Sequence, residues 1–280
     1  MRTLPPVFAL LLTVVATAAE VQTIDDFSTY ANPAALQAVW QPMEGTPPAA
    51  FIKYGEKQAL KIPCPFATAP NIERGSYDRV GALNLMTAGA ITFDFYCDDP
   101  SLISYPSIYF HSGEGWYCHS FSLVKGWQHL VLPKGAFRVE GEPAGWDKVD
   151  TVRVSAWKSK PVDTYCAVAN IQARTEDIAV IAGVAKGAEG KDLNRYAQRI
   201  CDLLDRCGLP AGALTDTDVA GGALAKQKLA VFAYSPAMTP EVIQKVQEYV
   251  AAGGKIIVFY TLPKPLADLA EVLVSAAEDG

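Results

Sequence analysis

Residues 91–127 read ITFDFYCDDPSLISYPSIYFHSGEGWYCHSFSLVKGW, and the alternation inside them decides the fold. In Pro106–His111, Ile108 and Phe110 take one side of the chain while Tyr109 and His111 take the other. Ile91–Cys97 and Trp116–Leu123 alternate in the same way, and strict alternation marks strands that bury one face. Gly113-Glu114-Gly115 is expected to turn the chain between two of these strands. With Phe121 and Leu123 inward, Trp116, Cys118 and Ser120 point out. The outward residues are thus Tyr, His and Trp, where a solvated face would carry Lys and Glu.

The same grammar continues on both sides of this stretch. Strands are expected at 23–30, 50–54, 59–63, 80–85, 128–132, 149–157 and 164–171, punctuated by Gly, Pro, Asn and Asp. Only a short helical turn or loop at 33–40 interrupts them. About nine short strands without a helical period predict an antiparallel β-sandwich or jelly roll. Near residue 175 the character changes. Ile178–Ala182 (IAVIA), Lys228–Tyr234 (KLAVFAY) and Lys255–Tyr260 (KIIVFY) are continuous apolar runs, as in strands buried on both faces of a parallel sheet, with a weaker strand at 213–215. Helical spacing covers Asp192–Cys207, Thr239-Pro240 starts a second helix that Gly253-Gly254 ends, and a third is expected over 265–277. This half reads as a small three-layer α/β domain with a mostly parallel sheet. Its small size suggests truncation, so the chain is expected to be the front part of a longer protein.

The divisions are 1–19, 20–175 and 176–280. In the first, Arg2 precedes the apolar Val7–Val15 and Ala16-Thr17-Ala18 fits a cleavage site, which predicts a signal peptide and a secreted or periplasmic protein. The run is too short to span a membrane. A formal charge of -6 without a basic cluster argues against nucleic acid as a partner. Six cysteines in an exported chain invite disulfides among Cys64, Cys97, Cys118 and Cys166, while Cys201 and Cys207 are as well read as free thiols.

The opening Asp-Asp-Phe strand, IYFHSGEGWY, GWQHLVLP and TVRVSAW…DTYCAVANI together resemble the galactose-binding-like jelly rolls used as carbohydrate-binding modules. SPAMTPEVIQKVQEYVAAGGKIIVFYTLP resembles the glutamine-amidotransferase-like, flavodoxin-like α/β domains attached to some glycoside hydrolases. Exported proteins with both modules often continue into a family-10-like glycosyl hydrolase barrel. The resemblance implies a polysaccharide or oligosaccharide partner, supplied to a C-terminal hydrolase domain beyond this chain. It also implies that strands 106–111, 116–123 and 149–157 share a sheet, whose outer face would carry Tyr109, His111, Trp116, Arg153 and Trp157. Flat rings stack on pyranoses and Arg, His and Ser bond hydroxyls. The alternative is that Trp116 and Trp157 pack under loops or on the second domain. Trp40, Trp127 and His129 are read as packing residues.

Such sandwiches often hold a structural calcium near their termini, and Asp25, Asp26 and Asn170 are its candidate ligands here, with turn capping as the alternative. No other cofactor is expected. Asp94, Asp98, Asp99 and Glu114 offer no distinct pair for glycoside hydrolysis. The elbow that would hold an amidotransferase cysteine reads Tyr260-Thr261-Leu262-Pro263, and all three histidines lie in the first domain. Residues 183–190 follow a strand and precede a helix, but match no phosphate-binding spacing. The reading is therefore a non-catalytic binding protein, with a longer glycoside hydrolase or a purely structural module as rivals.

Overall fold

A computed structural model describes residues 20–183, 187–207, 209, 211–259 and 263–269. Its first half runs β1 (Glu20–Asp25), α1 (Pro33–Val39), β2 (Trp40–Pro42), β3 (Ala50–Tyr54), β4 (Lys57–Cys64), β5 (Arg74–Leu83), β6 (Ala90–Cys97), β7 (Ile103–Ser120), β8 (Gly126–Pro133), β9 (Arg138–Pro143), β10 (Val149–Lys158) and β11 (Thr164–Thr175). One sheet of six strands has the order β3-β4-β11-β6-β8 with β1 added on β11, and a five-stranded sheet has the order β2-β5-β10-β7-β9. Every pairing in both is antiparallel. This is the expected sandwich. Phe93 and Phe95 of β6 meet Ile108 and Phe110 of β7 and Val152 and Val154 of β10, all fully buried. Each such side chain contributes about 1.5–3 kcal/mol by leaving water.

The glycine stretch does something other than turn. β7 runs unbroken through Gly113-Glu114-Gly115, pairing with β10 over its first part and with β9 over Gly113–Cys118. Gly115 is needed for close approach, because a Cβ there would stand 2.6 Å from Glu140 O and Glu142 N. Gly113 has φ +61° and would press its Cβ within 2.7 Å of Ala144. The irregularity restores the phase that plain alternation would lose, so His111 and Trp116, five residues apart, share one face. A Gly115→Ala variant is expected to lose about 1–3 kcal/mol through this overpacking. Urea denaturation measures the loss, and an unchanged midpoint would contradict it.

The second half runs β12 (Ile178–Ala182), α2 (Gly187–Arg206), β13 (Ala211–Thr215), α3 (Asp216–Ala220), β14 (Leu229–Tyr234), α4 (Pro240–Ala251), β15 (Lys255–Val258) and α5 (Lys264–Leu269). All its strands are parallel, in the order β13-β12-β14-β15. Ala197 and Cys201 of α2 cover Val180, Ala182 and Val231, while Val242, Val246 and Tyr249 of α4 cover Ile181 and Phe232 on the opposite face. Helices thus flank both faces of the sheet, as expected. The expected signal at 1–19, the elbow at 260–262, part of the 183–190 loop and the end of the last helix lie outside the described residues. Among those described, no helix is long and apolar enough to cross a membrane.

The halves meet over a tight, partly charged contact. Gly89, before β6, and Gly212, in β13, cross so closely that a Cβ on Gly212 would lie 2.3 Å from the Gly89 Cα. Beside them Lys134 Nζ, buried, donates to Met86 O at 2.7 Å and Asp218 Oδ1 at 3.2 Å.

The disulfide expectation is corrected. All six cysteines are free thiols. Cys64, Cys97 and Cys166 face the sandwich core, with Cys166 directly opposite Cys97. Contacts with Cys64 and Cys97, together with burial, push the Cys166 thiol well above its ordinary value. Cys118 is on the outer face of the other sheet, out of reach of these three; its thiol donates to Glu140 and accepts from Arg138.

Candidate functional site

Outward residues of the five-stranded sheet form a cleft of about 570 Å³. β10 supplies Arg153 and Trp157, and β7, its antiparallel neighbour, places Tyr109 directly opposite Arg153. β5, on the other side, sets Asp78 against Arg153, Ser76 against Ser155 and Arg74 against Trp157. Beneath the lining side chains the three strands carry a buried row of small hydroxyls, Ser76, Ser155 and Ser107, with Ser76 and Ser155 joined Oγ to Oγ at 2.7 Å. Small residues beneath and large residues at the ends make the depression.

Trp157 forms one wall. Its ring stacks on Tyr105 with centroids 5.5 Å apart, and the Arg74 guanidinium lies 4.7 Å from it. Its indole N–H is buried without a hydrogen-bond partner. Trp116 forms the other wall, with the Arg153 guanidinium 4.4 Å from its ring and Tyr109 meeting it edge-on. Such cation–π contacts fix both partners, so the walls are stiff.

The charges inside the cleft balance. Arg153 grips Asp78 through two bonds of 2.6 and 2.7 Å, Arg74 grips Glu44, and Arg138 bonds Glu140 at 2.9 Å. Bonding to Asp78 holds Arg153 above even its usual high value.

Four of the five residues expected at the site, Tyr109, Trp116, Arg153 and Trp157, line this cleft. His111 stands behind Trp116 at 4.6 Å and bonds Asp150 through Nδ1. Among the described residues, the ring contacts of both tryptophans are with side chains of the sandwich. Tyr105 was legible from its parity with Tyr109, whereas Arg138 and Glu140 lie on β9, which the alternation pattern did not reveal, and Arg74 and Asp78 lie on β5 ahead of the strand expected at 80–85.

One other reading is corrected. Trp40 is buried as expected, but Trp127 and His129 are outside the core: Leu130 and Leu132 take the inward positions of β8, which turns Trp127 and His129 outward. The three candidate calcium ligands bond to different partners. Asp25 accepts from Phe27 N, Tyr30 Oη and Trp40 Nε1. Asp26 caps Ser28, and Asn170 donates to Asp94. Among the described residues no group of three or more His, Cys, Asp or Glu is arranged to hold a metal ion.

No protein family and no curated protein matches the chain. Similar solved structures include the family 11 carbohydrate-binding module of the cellulosomal cellulase Lic26A-Cel5E of Clostridium thermocellum, 13% identical over 56% of this chain and 95% of that one, with a TM-score of 0.42. An exo-β-agarase is 13% identical over 54% of this chain and 24% of that one, at 0.41. A family 30 carbohydrate-binding module is 10% identical over 50% and 78%, at 0.35.

Proposed function

We propose that the chain is an exported, non-catalytic carbohydrate-binding protein, an accessory to a polysaccharide-degrading enzyme or the front part of one. The cleft on the five-stranded sheet carries this reading. It is lined by the rings of Tyr105, Tyr109, Trp116 and Trp157 with arginine, glutamate and Ser120 groups between them, which suits sugar rings with apolar faces and peripheral hydroxyls. Because Arg74, Arg153 and Arg138 are each paired with a carboxylate, the polymer that fits is an uncharged one rather than a uronic or sulfated glycan. Residues 1–19 support export through their signal-like pattern. The β13-β12-β14-β15 order of the parallel sheet supports the likeness of the second half to flavodoxin-like amidotransferase domains.

Affinity electrophoresis and calorimetry against mixed-linkage β-glucan, cellohexaose and agarose test the reading. Trp157→Ala and Trp116→Ala are each expected to weaken binding by about 0.5–1.5 kcal/mol or more. Binding to none of the three sugars, or binding that neither variant changes, would overturn the cleft as the site.

A further inference from the structure

The outer face of the six-stranded sheet carries a second, separate set of rings. Tyr54 (β3) meets Trp127 (β8) with centroids 4.5 Å apart, Trp127 meets Tyr96 (β6) at 5.4 Å, and Tyr96 stacks on Tyr165 (β11) at 5.4 Å. Beneath them the strands carry Ala59, Ala167 and Ala169, all fully buried. Small residues under large ones let rings from strands at opposite edges of the sheet touch, so the rings form one continuous row. This row contributes nothing to the sandwich core, which lies on the other side of the same strands.

The row is built around a fixed polar group. Asp94 accepts from Tyr54 Oη, Asn170 Nδ2 and His129 Nδ1, each at 2.8 Å. Asn170 reaches it from a β-bulge in β11, where its φ is +49°. Burial opposes ionisation of Asp94, but the bonds from Asn170, His129 and Tyr54 outweigh it and hold the carboxyl below its ordinary range. His129 is 59% exposed, so the ring edge away from Asp94 faces solvent. At the other end the Tyr165 hydroxyl bonds that of Tyr96, and Tyr96 also bonds Asp98. Lys61 lies 4.8 Å from the Tyr165 ring.

We infer that this face is a second carbohydrate-contact surface, taking an uncharged polysaccharide chain laid across Trp127, Tyr96 and Tyr165. Here every ring except Trp127 ends in a hydroxyl, and preset donors and acceptors stand at the ring edges, which suits sugar rings with apolar faces and peripheral hydroxyls. Asp94 is shared among three side chains and Lys61 stands at the Tyr165 end, so the surface has no strong single-sign field to favour a charged partner. Together with the cleft, this surface makes the sandwich two-sided and able to bridge two polymer strands.

The inference is independent of the cleft reading, and the test separates them. In the full chain, a Trp116→Ala/Trp157→Ala variant removes the cleft walls, and a Trp127→Ala/Tyr165→Ala variant removes the ring row. Retardation of each in native gels containing mixed-linkage β-glucan or agarose is compared with wild type, with circular dichroism reporting folding. The cleft variant is expected to keep a reduced retardation that is lost when Trp127→Ala and Tyr165→Ala are added. A conservative Tyr165→Phe variant, which keeps the ring, is expected to keep most of it. If the cleft variant alone abolishes retardation, the second surface is overturned and the cleft stands. Should the Trp127→Ala/Tyr165→Ala pair alone abolish it, the second surface stands and the cleft falls. Retardation unchanged by both pairs, or absent from wild type, overturns both. Failure of the Trp127→Ala/Tyr165→Ala variant to fold shifts the decision to His129→Ala, on an exposed side chain, which is expected to weaken retardation of the cleft variant; no change there overturns the second surface.

Discussion

A Lys134→Met variant is expected to lose about 3–5 kcal/mol of stability, the cost of removing one partner from a buried ion pair. Lys134 is 2% exposed and its ammonium has three acceptors, Leu85 O, Met86 O and Asp218 Oδ1. Methionine fills the space of the stem but strands Asp218 Oδ1 as a buried charge and takes the ammonium donor from Met86 O, while Leu85 O keeps its bond from Ala88 N. Asp218 cannot simply turn away, since its Oδ2 accepts from Thr215 N and closes the cap of α3. Lys134 comes from the sandwich and Asp218 from the parallel-sheet domain, so the loss falls on the joint between them. Differential scanning calorimetry is expected to find one cooperative transition in wild type and two in the variant.

The pair also fixes a sign with pH. Burial lowers the Lys134 value, against the pull of Asp218. A lysine whose folded value is depressed contributes its full share of stability above the unfolded value of about 10.4, and that share is lost as pH falls through the folded value. Burial of the Lys134 charge is thus the costly part of the arrangement, and Asp218 is the partner that offsets it. In a double-mutant cycle, Lys134→Met with Asp218→Asn should lose less than the two single variants added together, because the stranded charge is gone. A Lys134→Met variant that melts in one transition at the wild-type temperature would exclude this account.

How much of this was legible in the sequence depended on whether inward residues were apolar. IAVIA and KLAVFAY announce β12 and β14 because the helices on both sides favour apolar residues throughout, whereas KIIVFY announces β15 although this edge strand leaves Ile257 exposed, so its expected burial on both faces is corrected. The first part of β5 stayed hidden for the opposite reason. Its inward positions are Gly75, Tyr77 and Arg79, where Gly75 is needed because a Cβ would lie 2.6 Å from Pro63 O, and Arg79 points in at Asp25. β9 stayed hidden because it is a rim strand, exposed along nearly all of its length. Those two strands supply Arg74, Asp78, Arg138 and Glu140, which is why the aromatic half of the cleft was foreseen and its charged half was not. On β8 the signal was present: taking Leu130 and Leu132 as inward would have turned Trp127 and His129 outward and revealed the second row of rings.

Asp25 is the other residue whose removal should be costly. Asp25→Ala is expected to destabilise the sandwich by about 3–5 kcal/mol, or roughly 10 °C or more in melting temperature. One oxygen takes Phe27 N at 2.8 Å, the other takes Tyr30 Oη at 2.5 Å and Trp40 Nε1 at 2.9 Å, and Arg79 Nε lies 3.5 Å away. Burial, and then the Asp25 carboxylate, raise the Tyr30 phenol well above its ordinary value, so the hydroxyl stays a donor. Alanine would leave a buried indole N–H and a phenol without their acceptor and Arg79 without its counter-charge, all at the point where β1, α1, β2 and β5 meet. A calcium ion in this place would need six to eight oxygen ligands, and it would face three proton donors and a cation. Adding a chelator to wild type is therefore expected to leave the melting temperature unchanged, while Asp25→Ala lowers it steeply. A drop on chelation, with Asp25→Ala melting near wild type, would mean that the carboxylate serves a metal and not the staple drawn here.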